Sequence, residues 1–286
     1  MHRRDITHSF VHPQNVIGRD NDKEVIINLL MYPDARRNVN VIPIVGIGGL
    51  GKTTLAKLVY NDKRVVSHFE LRMWVCVFKD FNVIRLIKEI LKSAIGTIEE
   101  NLRVDRLQIS LRECLKNKTL PLVLDDVWNE DWNKWIELED LLIGGCNESK
   151  ILVTTRNGLV ATVMRTSPTY NLDGRSLEDC LSLFVKLTFK EGEGKQYPNL
   201  IEIGKEIVRK CKGVPLIVRT LVGLLYSKDD EREWKFVRDN EIWHLNQMDN
   251  EILPALHLSY NQLSFHLNAL LIVLFFQRIM NSTVFT

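Results

Sequence analysis

The chain has 286 residues, enough for one large or two modest domains with a hydrophobic core. Hydrophobic residues make up 45% and charged residues 26%, and the formal net charge is +2, so composition gives no argument for binding nucleic acid or a membrane surface. Five cysteines are scattered singly without metal-ligand spacing, which favours free thiols in a reducing compartment. We therefore expect a soluble, cytoplasmic protein with no nucleic acid partner and no membrane span.

The pattern of apolar residues predicts two kinds of structure along the chain. Residues 1–15 are polar and are interpreted as a linker. Strand-like apolar runs follow at 41–45, 73–78, 120–124 and 150–155. They alternate with amphipathic stretches that predict helices at Val83–Ile95, Leu102–Leu115 and Trp132–Leu142. This alternation is typical of a parallel sheet covered on both faces, and it predicts an α/β domain over residues 16–168.

After about Ser167 the strand pattern stops and the sequence becomes helical. The predicted helices are Leu177–Thr188, Leu200–Cys211, Leu216–Leu225 and Glu231–Arg238. They define a helical domain over residues 169–238, and residues 239–286 begin a further segment.

Residues 46–53 read GIGGLGKT, a full match to the phosphate-binding pattern G-x-x-x-x-G-K-[ST] between a predicted strand and a predicted helix. Four glycines let the loop curl so that its N–H groups point at phosphate oxygens; they are Gly46, Gly48, Gly49 and Gly51. We expect Lys52 to reach the β- and γ-phosphates, Thr53 to ligate Mg²⁺ and Thr54 to touch the α-phosphate. The segment predicts an ADP- or ATP-binding site.

Two further strand ends carry charged residues that suit the same site. In LVLDDVW, residues 122–128, we expect Asp125 to enter the Mg²⁺ shell and Asp126 to orient a water as a catalytic residue. Vigorous ATPases of related folds usually carry Glu in place of Asp126, so slow turnover is expected. Arg156 ends KILVTTR and could sense a γ-phosphate through bidentate contacts, as a second catalytic residue; the alternative is a surface salt bridge.

With these motifs in view, the chain resembles the NB-ARC nucleotide-binding module of plant NLR disease-resistance proteins from about His8 to Leu267. The segments that carry the resemblance are VIGR at 16–19, residues 69–81, 122–128, 149–156, 170–184 and 213–225. Trp128 at the end of LVLDDVW is similar to the coiled-coil class of the family. The implied fold is a P-loop NTPase parallel sheet, then a helical ARC1 domain and the start of a winged-helix ARC2 domain.

The resemblance also implies residue roles. The entry motif formed by Val16, Ile17, Gly18 and Arg19 would pack on the adenine and ribose. Pro215 would contact the adenine from the helical domain; without the family context, a Gly-x-Pro is a helix-start turn.

The implied function is an ADP/ATP-dependent switch in plant immune signalling that lacks the family's coiled coil and leucine-rich repeats. Its implied partners are full-length NLR relatives or other defence signalling proteins. Two alternatives stay open, a catalytic P-loop ATPase or kinase, and a non-catalytic interaction fragment or pseudogene product.

The run ALLIVLFF, residues 269–276, departs from the family after a matching segment at 258–267. It is too short to span a bilayer, which takes roughly 20 residues. With suitable codon choices, Asn268 onward read from the third base spells CIAYCSLFPKDYEF, the family's expected continuation. We hypothesise a lost reading frame over residues 268–286; the alternative is an apolar helix that closes the domain. Sequencing the genomic locus and transcript decides between them.

Overall fold

The structure, a computed structural model, describes residues 8–32, 39–77, 81–99, 102–143, 149–190, 193–226, 228–240 and 243. These residues fall into two compact units that divide between Asp173 and Gly174, slightly later than the predicted boundary at 168/169. The run at 269–276 and the hypothesised frameshift at 268–286 lie outside the described residues. Both stay predictions.

The first unit is a five-stranded sheet with helices. Its strands are β1 Val39–Val45, β2 Met73–Cys76, β3 Pro121–Val127, β4 Ser149–Thr155 and β5 Tyr170–Asn171. Its helices are α1 Asp20–Met31, α2 Lys52–Tyr60, α3 Lys63–His68, α4 Val83–Ile95, α5 Val104–Leu115, α6 Trp132–Ile143 and α7 Gly158–Met164. The strand order is β2-β3-β4-β1-β5 and every pair is parallel, so the predicted α/β class is confirmed.

The central strands are buried because helices and neighbouring strands shield them from water. Every residue of β4 is buried, and only Val45 at the end of β1 is partly exposed. Such strands need apolar residues on both faces, which explains the continuous apolar runs in the sequence. Helix α4 shows how a flanking element forms. It presents an apolar face to the core, the Asn82 side chain accepts a hydrogen bond from the Arg85 N–H at its start, and Gly96 follows its end with φ 86°.

Two sheet elements differ from the sequence prediction. Strand β5 was not predicted, because its two residues, Tyr170 and Asn171, are too few to show a strand pattern in the sequence. They align with Ile44 and Val45 of β1. Strand β2 ends at Cys76 rather than at residue 78, which lies outside the described residues.

The second unit is helical in its described part. Its helices are α8 Leu177–Thr188, α9 Pro198–Lys210, α10 Pro215–Leu225 and α11 Glu231–Asp239. Helix α8 packs on α9 and α10, and α9 packs on α11. Phe184 and Trp234 meet edge to face in its core, with ring centroids 5.7 Å apart. In neither unit is a described helix long and apolar enough to cross a membrane.

Candidate nucleotide site

Three segments of the first unit meet at one edge of the sheet. Strand β4 lies between β1 and β3, and all three run in the same direction. Their carboxyl ends therefore lie side by side, where open parallel sheets bind ligands. The phosphate loop follows β1, Asp125 and Asp126 lie at the end of β3, and Arg156 follows β4.

The backbone of the phosphate loop requires its glycines. Gly49 and Gly51 have φ values of 80° and 95°, in the region that side chains strain. A Cβ on Gly46 would lie 3.0 Å from both the Leu172 carbonyl oxygen and Leu50 Cδ1. Gly48 lies in the turn of the same loop. The loop can therefore approach a ligand with its backbone amides.

Helix α2 begins at Lys52, directly after Gly51. The Lys52 ammonium donates hydrogen bonds to the carbonyl oxygens of Gly46 (2.6 Å) and Ile47 (2.9 Å). The pKa of Lys52 is lowered to about 8, chiefly by burial and also by the positive charge of Arg156, while Asp126 and Asp125 act in the opposite direction. A cation thus sits inside the loop, in surroundings that favour an anionic ligand.

Asp125 is fully buried and holds two hydroxyl groups. One of its oxygens accepts hydrogen bonds from Thr53 Oγ1 (2.8 Å) and Thr154 Oγ1 (2.7 Å). The structure therefore brings together Thr53 and Asp125, the two predicted magnesium ligands. Thr54 lies beside Thr53 in the first turn of α2, half-buried.

Asp126 occupies an irregularity in β3. Its φ is 58°, unusual for a residue with a side chain, and the register between β3 and β4 shifts between Leu124 and Val127. The Asp126 amide donates to Thr154 Oγ1 at 2.9 Å, so one threonine hydroxyl holds both aspartates. The sequence reasoning missed Thr154; a hydroxyl residue within a buried apolar strand, close to the two carboxylates, was the available signal.

Arg156 makes an ion pair inside the site. Its Nε lies 3.8 Å from Asp126 Oδ1, and its guanidinium carbon lies over the Trp128 ring, 5.3 Å from the centroid. The structure thus contains a salt bridge, which was the alternative interpretation of Arg156. The partner of Arg156 in it is Asp126, the other residue predicted to be catalytic.

The entry motif lies just before and at the start of α1. Val16, Ile17 and Gly18 are half-buried, and Arg19 is buried. The Arg19 guanidinium donates to the Leu50 carbonyl oxygen (3.0 Å) and the Asp173 carbonyl oxygen (2.9 Å). Arg19 thereby fixes the end of the phosphate loop, a role that the sequence did not predict. The expected packing of the motif on adenine and ribose stays a prediction.

Pro215 belongs to the second unit. It is the first residue of α10 and is buried, as suits a residue without an N–H at a helix start. Gly213 precedes it with φ 78°, and a Cβ there would lie 2.6 Å from the Arg175 carbonyl oxygen. The predicted contact of Pro215 with adenine stays a prediction.

Comparison with known proteins gives this site a family. Residues 19–194 match the model of the NB-ARC domain. The chain belongs to the NB-ARC family. Over 259 residues it is 46% identical to the putative disease resistance protein RGA1 of Solanum bulbocastanum, covering 90% of the chain and 26% of that protein. Disease resistance protein RGA2 of the same plant is 46% identical over 264 residues, covering 91% and 27%.

A more distant relative in the same class is the putative disease resistance RPP13-like protein 1 of Arabidopsis thaliana. It is 39% identical over 264 residues, which cover 91% of the chain and 25% of that protein. The NB-ARC chain thus spans about a quarter of the length of the relatives it matches.

Solved structures share the fold at low identity. Cdc6p from Pyrobaculum aerophilum superposes with a TM-score of 0.55 at 14% identity, covering 80% of this chain and 66% of that one. The ADP form of the Aeropyrum pernix ORC2 protein gives 0.54 at 15%, covering 85% and 73%. The NB-ARC family assignment and the P-loop fold together support nucleotide binding by this chain.

The described part of the chain contains no cluster of three or more His, Cys, Asp or Glu residues that could hold a metal. The two predicted Mg²⁺ ligands of the NB-ARC site, the Thr53 hydroxyl and the single Asp125 carboxylate, are not such a cluster. Within the part of the chain that the structure describes, Cys76, Cys114, Cys180 and Cys211 form no disulfide.

Proposed function

We propose that this NB-ARC chain is the ADP/ATP-binding switch module of a plant immune receptor, with slow ATP hydrolysis at most. The observation that carries the proposal is the convergence of the phosphate loop, Asp125, Asp126 and Arg156 at one sheet edge. Lys52 and the loop amides would bind the phosphates, and Thr54 would contact the α-phosphate. The 16–19 motif and Pro215 would bind the base and ribose.

Thr53 and Asp125 suit Mg²⁺, because a hydroxyl and a carboxylate oxygen already lie 2.8 Å apart at the buried end of β3. Bound there, Mg²⁺ would neutralise phosphate charge. Thr154 would keep the Asp125 carboxylate turned toward Thr53.

Slow hydrolysis follows from the surroundings of Asp126. The Asp126 side chain is shorter than that of a glutamate, and its carboxylate faces the positive Arg156, which occupies one side of it. Arg156 pairs with Asp126 and its charge acts on Lys52, which supports the proposal that it would distinguish ATP from ADP by the γ-phosphate. A site of this kind is better suited to report which nucleotide is bound than to turn it over quickly.

The setting we propose is the cytoplasm, where free thiols persist. Full-length relatives and other defence signalling proteins are the proposed partners. The proposed partners rest on the relatives, which are named disease resistance proteins.

The test is the nucleotide content and turnover of the purified chain. Bound ADP with slow release, and affinity for ATP that rises with Mg²⁺, is the expected result. Asp125→Asn keeps an oxygen for the Thr53 and Thr154 hydroxyls but removes the charge, so it should lose the Mg²⁺ effect and keep ADP binding. Lys52→Ala should lose both.

The alternatives give different results. Rapid multiple turnover with a second substrate would mean a P-loop enzyme. A folded chain without affinity for ADP or ATP would mean an interaction fragment. Either result overturns the switch proposal.

A further inference from the structure

In the sequence, Trp128 only indicates the class within the family, but in the structure it lies within the site. The Arg156 guanidinium lies over its ring face, 5.3 Å from the centroid. This distance is within the range of an attractive cation–π interaction, for which Trp is the best aromatic partner. The Arg156 side chain is 45% exposed. Its ion pair with Asp126 is weak, because the Nε and Oδ1 atoms are 3.8 Å apart. The ring is therefore a principal restraint on the guanidinium.

The bulge in β3 is what puts Trp128 beside Arg156. Up to Leu124 and Val153 the two strands align residue for residue, and an unbroken register would set Val127 opposite Arg156. The extra residue at Asp126 instead aligns Val127 with Thr155, so Trp128 follows opposite Arg156.

Thr155 secures this register. Its Oγ1 donates to the Val127 carbonyl oxygen at 2.8 Å, directly before Trp128. Residues aligned on neighbouring parallel strands point to the same side of the sheet, which allows the guanidinium to lie over the indole ring.

We propose that Trp128 is a positioning residue that preorganises Arg156 for the γ-phosphate and so determines preference for ATP over ADP. The inference rests on the proposed nucleotide-binding function. A cation held by the face of a ring keeps its N–H groups for bidentate contacts with phosphate oxygens. ADP offers no γ-phosphate to Arg156, so it gains nothing from the restraint. ATP binds more tightly because the Arg156 side chain has already lost conformational freedom before the γ-phosphate arrives.

Arg156 is in the right place for this role. Its charge lowers the pKa of Lys52, the residue expected at the β- and γ-phosphates, so the two cations lie close enough to interact. The Asp126 carboxylate, 3.8 Å from Arg156 Nε, attracts the guanidinium as well.

The test measures ADP and ATP affinity of the full chain with Mg²⁺ for four single variants and one double variant. Trp128→Leu should weaken ATP binding about two- to fivefold, the share of a partly exposed cation–π contact, and leave ADP binding unchanged. Trp128→Phe should recover part of the loss, because it restores an aromatic face. Trp132→Leu is the matched control, since this Trp is 57% exposed at the start of α6 and is not part of the site. In an Arg156→Ala chain, Trp128→Leu should have no further effect.

A second readout tests the contact without nucleotide. The chain has six Trp residues, and labelling with 5-fluorotryptophan gives each a ¹⁹F resonance; the one lost in Trp128→Phe is assigned to residue 128. Arg156→Ala should shift that resonance in the free protein.

The outcomes separate the two proposals. A wild-type chain that binds no nucleotide overturns both. Nucleotide binding with equal effects of Trp128→Leu on ADP and ATP, or with the same effect in the Arg156→Ala chain, overturns only the role of Trp128. A ¹⁹F resonance of residue 128 that does not shift in the Arg156→Ala chain also overturns the role of Trp128.

Discussion

At the scale of single residues, the charge of Lys52 links the site to pH. Its pKa is lowered to about 8, chiefly by burial, so a free chain above pH 8 holds a largely neutral amine. Bound phosphate favours the charged amine. Nucleotide binding above pH 8 must therefore take up a proton.

We predict that ADP affinity falls as pH rises above 8, approaching about tenfold per pH unit, since one proton is gained on binding. Calorimetry at pH 8.5 in two buffers of different ionisation enthalpy should show the uptake. Lys52→Arg keeps its charge across this range and should remove both the slope and the uptake, whatever its own affinity. A slope that persists in Lys52→Arg would assign the effect to another group.

Thr154 supports a second prediction. Thr154→Val removes one hydrogen-bond donor from the Asp125 carboxylate and the hydroxyl that accepts from the Asp126 amide, which should destabilise the chain by about 1–3 kcal/mol. We expect it also to reduce the gain in ATP affinity that Mg²⁺ gives. Thr154→Ser keeps the hydroxyl and should restore the Mg²⁺ effect. Denaturant unfolding and binding with and without Mg²⁺ measure the two effects; a Val variant with normal Mg²⁺ response would limit Thr154 to a structural role.

The candidate site was predictable from sequence where a motif has a fixed spacing. The loop glycines, Lys52 and Thr53 follow one another along the chain, so their grouping needs no tertiary information. The grouping of Asp126 with its neighbours in space does need tertiary information. Asp126 contacts Thr154 and Arg156, and Arg156 contacts Trp128, at a bulge in β3. A one-residue register shift leaves no mark in a sequence read one strand at a time.

At the scale of elements, boundaries were predictable where an amphipathic period and a cap coincide. Helices α4 and α8 have their predicted bounds, and Asn82 and Ser176 cap them by accepting backbone N–H bonds. Strand β5 was not predictable. Two residues carry no period, and their extended form depends on β1 beside them.

Helix packing in the second unit gives a prediction with a built-in control. A Cβ on Gly204 of α9 would lie 2.7 Å from Phe184 Cε1 and 3.3 Å from Trp234 Cζ3. Gly204→Ala should therefore destabilise this unit by about 1–2 kcal/mol, because overpacking outweighs the better helix propensity of Ala. On α10, a Cβ on Gly223 meets no atom within 4 Å, so Gly223→Ala should be neutral or stabilise by up to about 1 kcal/mol. Unfolding monitored by circular dichroism compares the two variants. Changes of the same sign in their free energies of unfolding would contradict this packing.

At the scale of the whole molecule, nucleotide binding and stability are linked. The phosphate loop, the two aspartates and Arg156 all lie in the first unit, whose core is built from its own strands and helices. A ligand that binds only the folded chain stabilises it by mass action, about 2.7 kcal/mol at a hundred times its Kd. This stabilisation should first reach the elements that carry the loop and the aspartates.

We predict that ADP at this excess slows hydrogen exchange in peptides from β1, β3 and β4 by up to about a hundredfold, where exchange needs unfolding of the unit. Lys52→Ala should abolish the effect. Peptides from α11 are the internal reference, because this helix packs on α9 within the second unit. The first turn of α10 then tests the remaining sequence prediction. If Pro215 contacts adenine, ADP must also protect that turn, and Pro215→Ala must weaken ADP binding; protection confined to the first unit would remove Pro215 from the site.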